Sequence, residues 1–317
     1  MKKLACLMLA CLMLAAILPA APAFAEDGEN RKVFREGETE PFPEGAELLT
    51  LYVAPMVGAD CMLLTLGEHT MLVDSGSTGQ TEHLFEMLDS LGIKNVEYLF
   101  NTHPHYDHIG GVRPMLKAGY GIGEFFYLFP HDFFPKEGMY ESPSLTLDDL
   151  AAAGVPVTDL KAGDVIRFGD AECTVMRIPD SAIKKNTTTN DMSGVLMVKY
   201  GDCSVLLTAD VELPDEIILA EMYDLKADIL KYPHHGLSLI ANEFLTEVQP
   251  EFVFFTHGVG GTEKSQKLLR RFGLDIRDMF FATWGRMTMQ TDGQKWIVRQ
   301  DYLPGYDKVA MTYTIPE

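Results

Sequence analysis

The run Asn101-Thr102-His103-Pro104-His105-Tyr106-Asp107-His108-Ile109-Gly110-Gly111 places three histidines and one aspartate within six residues. The chain has 317 residues and only nine histidines, so a third of them stand here. The run follows Val96 to Asn101, which alternates as a strand, and so occupies a strand-exit loop. Imidazole and carboxylate at this density suit Zn or Mn. His103 and His105 alternate to one side, leaving Asp107 and His108 free to turn to a second ion. A solvated histidine-rich loop without metal is the bland alternative, and it predicts no partner donors later in the chain.

Later donors are present. Asp74 ends the apolar segment Leu72-Val73-Asp74-Ser75-Gly76, Asp210 ends Leu206-Leu207-Thr208-Ala209-Asp210, and Pro233-His234-His235-Gly236 follows a third strand-like stretch. The intervening pattern places strands at 49–53, 61–66, 70–73, 96–101, 165–168 and 173–178. Residues 195–200 and 204–208 form a hairpin across Gly201-Asp202. Further strands lie at 229–232, 252–255, 286–290 and 296–299. Helical spacing appears at 81–91, 112–118, 144–153, 214–222, 242–248 and 263–272. Strands come in runs, with helices between the groups. That favours an α/β (α+β) αββα sandwich, two stacked mixed sheets with outer helices, over a doubly wound parallel sheet. Residues 46–317 read as one domain, and the Gly-, Pro- and Glu-rich stretch 26–45 reads as a flexible lead-in.

The amino terminus has a separate reading. Met1-Lys2-Lys3, an apolar run from Leu4 to Leu18, and Ala23-Phe24-Ala25 after two prolines form a signal peptide with cleavage after Ala25. Export is therefore expected, to a secreted or cell-envelope location, with no integral membrane segment after cleavage. Loss of Lys2 and Lys3 takes the net charge from −20 to −22. Such a field repels phosphate backbones and excludes a nucleic-acid coat protein, but a bound cation outweighs it locally. Cys61, Cys173 and Cys203 remain in apolar strand-like surroundings and read as small buried hydrophobes.

His103-x-His105-x-Asp107-His108 followed by Gly110-Gly111 resembles the metallo-β-lactamase-fold hydrolases, and the resemblance extends over roughly residues 48–300. It implies His103, His105, Asp107, His108, Asp210 and His235 as metal ligands to one or two divalent ions, Zn or Mn, with Asp210 bridging. It implies Asp74 as support for the metal loop. The Pro-x-His-Gly pattern selects His235 over His234, which is left for the second shell or for substrate. One position departs from the family: where a further histidine is usual, this chain has Thr189-Asn190-Asp191-Met192-Ser193. Asp191 supplies an oxygen there, or a water does; a turn residue is the alternative. Asn-Asp-x-Ser before a hairpin, Leu-Leu-Thr-x-Asp, His-His-Gly, Leu160 to Val165 and Val57-Gly58-Ala59-Asp60-Cys61 together resemble the ComEC-type branch. The channel's membrane segments have no counterpart here, so DNA transport is not carried over.

Two neighbouring cations would lower the pKa of a shared water towards ~7 and turn it on an electrophile. The expected activity is hydrolysis of phosphodiester bonds, in a small molecule or nucleic acid, through a metal-bound hydroxide. Asp107 would orient that hydroxide, and His234 would protonate the leaving group. A β-lactam or lactone hydrolase of the same fold, and a metal-retaining binding protein without catalysis, are the competing readings. No obligate protein partner is indicated. His257, at the end of the strand Phe252 to Phe255, is a second-shell candidate. The aromatic run Phe125 to Phe134 reads as core and loop support more readily than as a base-stacking platform. Lys184-Lys185 reads as an exposed loop.

Overall fold

The structure is a computed structural model that describes residues 31–129, 143–180, 182, 188–303, 306–307 and 312–313. Residues 1–25, read above as a signal peptide, the end of the aromatic run from residue 130, and Lys184-Lys185 lie outside the described residues. The elements in chain order are β1 (Val33–Arg35), β2 (Leu49–Val53), β3 (Cys61–Leu66), β4 (His69–Ser75), α1 (Thr81–Ser90), β5 (Asn95–Phe100), α2 (Tyr106–Ile109), α3 (Val112–Lys117), β6 (Gly121–Tyr127), α4 (Pro143–Ala152), β7 (Val157–Asp159), β8 (Val165–Phe168) and β9 (Ala171–Met176). Then follow β10 (Val195–Tyr200), β11 (Cys203–Leu207), α5 (Leu213–Met222), β12 (Ile229–Lys231), α6 (Asn242–Val248), β13 (Phe252–Phe255), α7 (Glu263–Arg271), β14 (Met279–Phe281), β15 (Gly285–Thr291) and β16 (Trp296–Tyr302).

Two mixed sheets result. The larger has nine strands in the order β1-β16-β15-β2-β3-β4-β5-β6-β7, and the other has seven in the order β14-β13-β12-β11-β10-β9-β8. Side-chain alternation assigns the layers. Leu196 and Val198 of β10 join Met71 and Val73 of β4 in the core between the sheets. Val195 and Met197 face outward to α5 and α6 through Leu219, Phe244 and Leu245. Leu72 of β4 packs outward with Leu84, Leu88 and Val112 of α1 and α3. Strands buried on both faces need runs of apolar residues, which is why β11 reads Cys-Ser-Val-Leu-Leu. The four layers are those expected of the αββα sandwich.

The hairpin turns at Gly201-Asp202, where Tyr200 pairs with Cys203 and Gly201 has φ of 58°. Cys61, Cys173 and Cys203 are buried and unbridged, and burial pushes the Cys173 thiol up to about 12. The lead-in is corrected from Lys32 onward. β1 runs parallel to β16, Val33 is fully buried, and the Glu251 carboxylate accepts from the Lys32 and Val33 amides at 2.9 Å each. An anchor 218 residues away holds this polar segment to the sheet. No helix among the described residues is long and apolar enough to cross a membrane.

This topology fixes where chemistry can occur. β4 and β5 run parallel in one sheet, and β11, β12 and β13 run parallel in the other. Their carboxyl ends open on the same side, where ligands bind in parallel sheets. β3 is antiparallel to β4, with Cys61 paired to Ser75, so Asp60 at its start joins that end.

Candidate metal centre

Among the described residues, only five non-glycine residues have positive φ, and four of them, Asp74, Ala209, His234 and His235, lie at these strand ends. Backbone strain of this kind persists where surrounding structure enforces it, and it gathers at functional sites. Gly110 and Gly111 bring the metal loop against β4: a Cβ on Gly111 would stand 2.2 Å from Ser75 O. Gly236 likewise clears the Phe255 ring, which a Cβ would meet at 2.3 Å.

Two sets of donor atoms converge on Asp210. In each set, all atoms lie within 4.8 Å of one another. One set is Asp107, His108, Asp210 and His235; the other is His103, His105 and Asp210. Asp210 Oδ2 is 3.3 Å from His108 Nε2, 3.3 Å from His235 Nε2 and 4.0 Å from His103 Nε2. His108 Nε2, His235 Nε2, Asp107 Oδ1 and Asp210 Oδ1 are buried without a hydrogen-bond partner. Buried polar atoms are otherwise almost always satisfied. The two unpartnered ring nitrogens, both 3.3 Å from Asp210 Oδ2 and grouped with Asp107, form a donor set that suits a divalent cation.

The far sides of the first set are held in place. His108 Nδ1 lies 2.7 Å from Asp74 Oδ2. Asp74 also accepts from the Thr102 amide at 2.8 Å and the Asn101 side chain at 2.9 Å. His235 Nδ1 is 2.8 Å from Thr256 Oγ1 and 3.1 Å from Asp60 Oδ1. Such outer partners fix ring orientation and raise ligand basicity. The second set is barer: His103 Nδ1 finds only Thr102 Oγ1 at 3.2 Å, and His103 Nε2 lies 3.0 Å from His105 Nδ1.

Electrostatics follow the same division. Burial alone would strip the proton from His235, but Asp210, Asp60 and Asp107 outweigh it and hold the ring up at about 10. Burial also opposes charge on His108, yet Asp210 and Asp74 raise it well above the usual range. Burial and the neighbouring His108 push His103 well below that range, and burial lowers His105. Burial would raise Asp210, but His235 and His108 hold it well below an ordinary carboxylate. The same two rings lower Asp107 against the effect of its burial.

Asp191 is not brought to either set. Its carboxylate accepts from the Thr188 amide at 2.9 Å and lies 3.2 Å from the Thr188 hydroxyl, capping its own turn. Local capping outcompetes a role at the metal. Asn190 of that turn donates to Glu212 Oε1 at 2.9 Å. His257 does not touch a ligand; its neighbour Thr256 does, and the His257 ring packs beside Gly58 and Gly261. His234 stands at the edge, with Nε2 at 3.8 Å from Asp210 Oδ2 and Nδ1 at 3.4 Å from Glu212 Oε1 and 3.1 Å from Ser238 Oγ.

Asp60, quoted above only within the Val57 to Cys61 motif, and Lys231 stand directly behind the candidate donors, a position that sequence reasoning did not assign to them. Both are fully buried, and Lys231 Nζ lies 2.6 Å from Asp60 Oδ2, 3.6 Å from Asp210 Oδ1 and 2.7 Å from Ala209 O, to which it donates. The Asp60 amide donates to Asp107 O at 3.0 Å, tying this pair to the metal loop. The available signal was a lone charge inside the apolar strand Ile229-Leu230-Lys231-Tyr232.

The Metallo-beta-lactamase superfamily profile matches residues 55–257. The chain belongs to the metallo-β-lactamase superfamily. It is 28% identical over 204 residues to ComE operon protein 3 of Bacillus subtilis strain 168, covering 61% of this chain and 24% of that protein. It is 36% identical over 63 residues to a protein of Methanocaldococcus jannaschii described as a probable metallo-hydrolase, covering 20% of this chain and 27% of that one. The chain thus spans about a quarter of the length of these relatives. Similar solved structures include the metallo-β-lactamase fold protein YhfI from Bacillus subtilis (TM-score 0.49, 16% identity, 74% of this chain and 96% of that one). Another is CmlA, a diiron β-hydroxylase from Streptomyces venezuelae (TM-score 0.49, 15% identity, 80% and 55%).

Proposed function

We propose that this superfamily member is an exported hydrolase of phosphodiester bonds that works with one or two divalent ions, Zn or Mn. The observation that carries this reading is the sharing of Asp210 between two donor sets. A clamp of two adjacent cations suits in-line displacement at phosphorus. His103 and His105 would hold one ion, Asp107, His108 and His235 the other, and Asp210 both. When bound, the metal supplies Lewis acidity and lowers the pKa of the attacking water. Water adds across a P–O ester bond, giving a phosphomonoester and an alcohol. Asp107 would orient the water as well as bind metal. With Nδ1 held beside Glu212, His234 presents Nε2 to the centre and donates the proton the leaving alcohol needs.

Hydrolysis of bis-p-nitrophenyl phosphate tests this. The metal-stripped protein should be inactive, and Mn or Zn should restore turnover. Asp107→Ala and Asp210→Ala should each lose on the order of 10³-fold in kcat or more, the scale of removing a principal electrostatic contact. Tightly bound metal with no turnover on any diester would overturn the reading and favour a β-lactam or lactone substrate or a binding role. Export is tested by the amino-terminal sequence of the mature protein, which should begin at Glu26.

A further inference from the structure

Lys231 is the only lysine or arginine fully buried among the described residues, and the reaction derived above gives it no part. It ends β12, with Leu230 before it and Tyr232 after it, both equally buried. An ammonium in such a place is costly unless it is paired. Its Nζ lies 2.6 Å from Asp60 Oδ2, donates to Ala209 O at 2.7 Å and comes within 3.6 Å of Asp210 Oδ1. Stability alone does not account for the charge, because a well-packed apolar pair fills such a position as well as an ion pair does. What distinguishes the position is Asp210, the carboxylate that both donor sets share.

The two oxygens of Asp210 face different cations. Oδ2 lies 3.3 Å from His108 Nε2 and from His235 Nε2, on the side of the donors. Oδ1 is buried, has no hydrogen-bond partner and has the Lys231 ammonium beside it. Four carboxylates belong to the centre: Asp107 and Asp210 among the donors, Asp60 at 3.1 Å from His235 Nδ1 and Asp74 at 2.7 Å from His108 Nδ1. Glu212 is further out, partly exposed beside His234, where water screens it. Histidine ligands are neutral when they hold metal. With both donor sets filled, two divalent ions do no more than cancel the four carboxylates, and a neutral centre has no net attraction for a monoanionic diester. Lys231 leaves the loaded centre with one positive charge, and in a buried site of low effective dielectric that charge is felt across several ångström.

We propose that Lys231 is the built-in counter-cation of the metal centre: beside Asp210 it weakens the hold on metal and gives the loaded centre its attraction for an anionic diester. Fully buried, it does not touch the diester, and it acts through Asp210 and Asp60 as a positioning residue. The anionic ligand rests on the phosphodiester reading above; the effect on metal does not. The ammonium repels both ions and attracts the anion, so the two affinities move in opposite directions when it is removed. A lysine that only braced the strands would move them together.

The test is calorimetric Mn binding to the full chain, together with dimethyl phosphate binding to the Mn-loaded chain, read by phosphorus NMR line broadening. Lys231→Met should tighten Mn binding by ~10-fold or more and weaken dimethyl phosphate binding by ~10-fold. Asp60→Asn/Lys231→Met removes one charge of each sign and should return both affinities to within ~3-fold of the unaltered protein. Asp60→Asn alone keeps the ammonium, and so reads its charge even where the Lys231→Met chain does not fold: dimethyl phosphate should bind it several times more tightly. Unchanged or weaker Mn binding in Lys231→Met, or Mn and dimethyl phosphate affinities that fall together, would overturn the proposal, as would weaker dimethyl phosphate binding by Asp60→Asn. Opposite shifts in a protein that hydrolyses no diester would support this role of Lys231 and remove the hydrolytic reading alone.

Discussion

The two halves of the candidate metal centre share Asp210 and, more weakly, Thr102, whose hydroxyl donates to Asp74 Oδ2 at 2.7 Å and lies 3.2 Å from His103 Nδ1. The half built from Asp107, His108 and His235 is backed by Asp74, Asp60 and Thr256. The half built from His103 and His105 has one weak hydroxyl contact behind it. The carboxylates hold His108 and His235 in the charged form, and burial keeps His103 neutral. Equal ligand types thus carry unequal readiness for metal. The braced half offers more donors and more negative charge, but must surrender protons to be filled. The bare half is already neutral and can take an ion without releasing any. We expect the braced half to bind first and more tightly.

The largest effect should come from the ion pair under the braced half. Removing Lys231 leaves Asp60 buried without its cation, and breaking a buried pair in this way costs ~3–5 kcal/mol. Lys231→Met should therefore lower the melting temperature sharply, and Asp60→Asn/Lys231→Met should recover much of the loss. Equal melting of the single and double variants would show that the pair is not coupled.

A smaller effect sharpens the contrast between the halves. Asp74→Asn removes the charge behind His108 and should weaken the tighter metal step by ~10–100-fold. The weaker step, which Asp74 reaches only through the Thr102 hydroxyl, should lose clearly less. An equal loss in both steps, read by calorimetry, would mean that Asp74 supports the whole loop and not one half.

The pH dependence is smaller still and follows from the signs of the shifts. His235 is raised from 6.5 to about 10, so its stabilising charge is fully present below 6.5 and lost as pH climbs towards 10. Asp210 and Asp107 are lowered from 3.8, so their contribution is present above 3.8 and lost as pH falls below it. His103 and His105 are lowered from 6.5 and so cost stability as pH falls below it; the metal-free protein should be most stable near pH 6.5 and weaken towards pH 10. Metal binding at pH 7 should release protons in the tighter step and none in the weaker one. Calorimetry in buffers of different ionisation enthalpy measures this, and identical proton release in both steps would erase the distinction between the halves.

The candidate donors stand out in the sequence because they are rare residue types gathered at strand ends. His103 to His108, Asp210 and the His234-His235 pair announce themselves by composition and by the apolar runs before them. Strands such as β10 and β11 were equally legible from their apolar runs and the Gly201 turn. β1, β7 and β14 have three residues each, too few for a period to show, and β1 is held by Glu251 from the far side of the chain. Asp191 illustrates the opposite failure: residue type suited a ligand, but capping of its own turn took the carboxylate. The pairing of Asp60 with Lys231 was not legible because it is a 2.6 Å contact between the residue before β3 and the end of β12, which belong to different sheets.

The most direct measurement is metal stoichiometry and affinity in His103→Ala beside His235→Ala. The account predicts two ions of unequal affinity in the unaltered protein. His103→Ala should lose only the weaker ion, and His235→Ala should lose the tighter one together with its proton release. Identical losses in the two variants, or two equal affinities in the unaltered protein, would contradict an asymmetric centre built around Asp210.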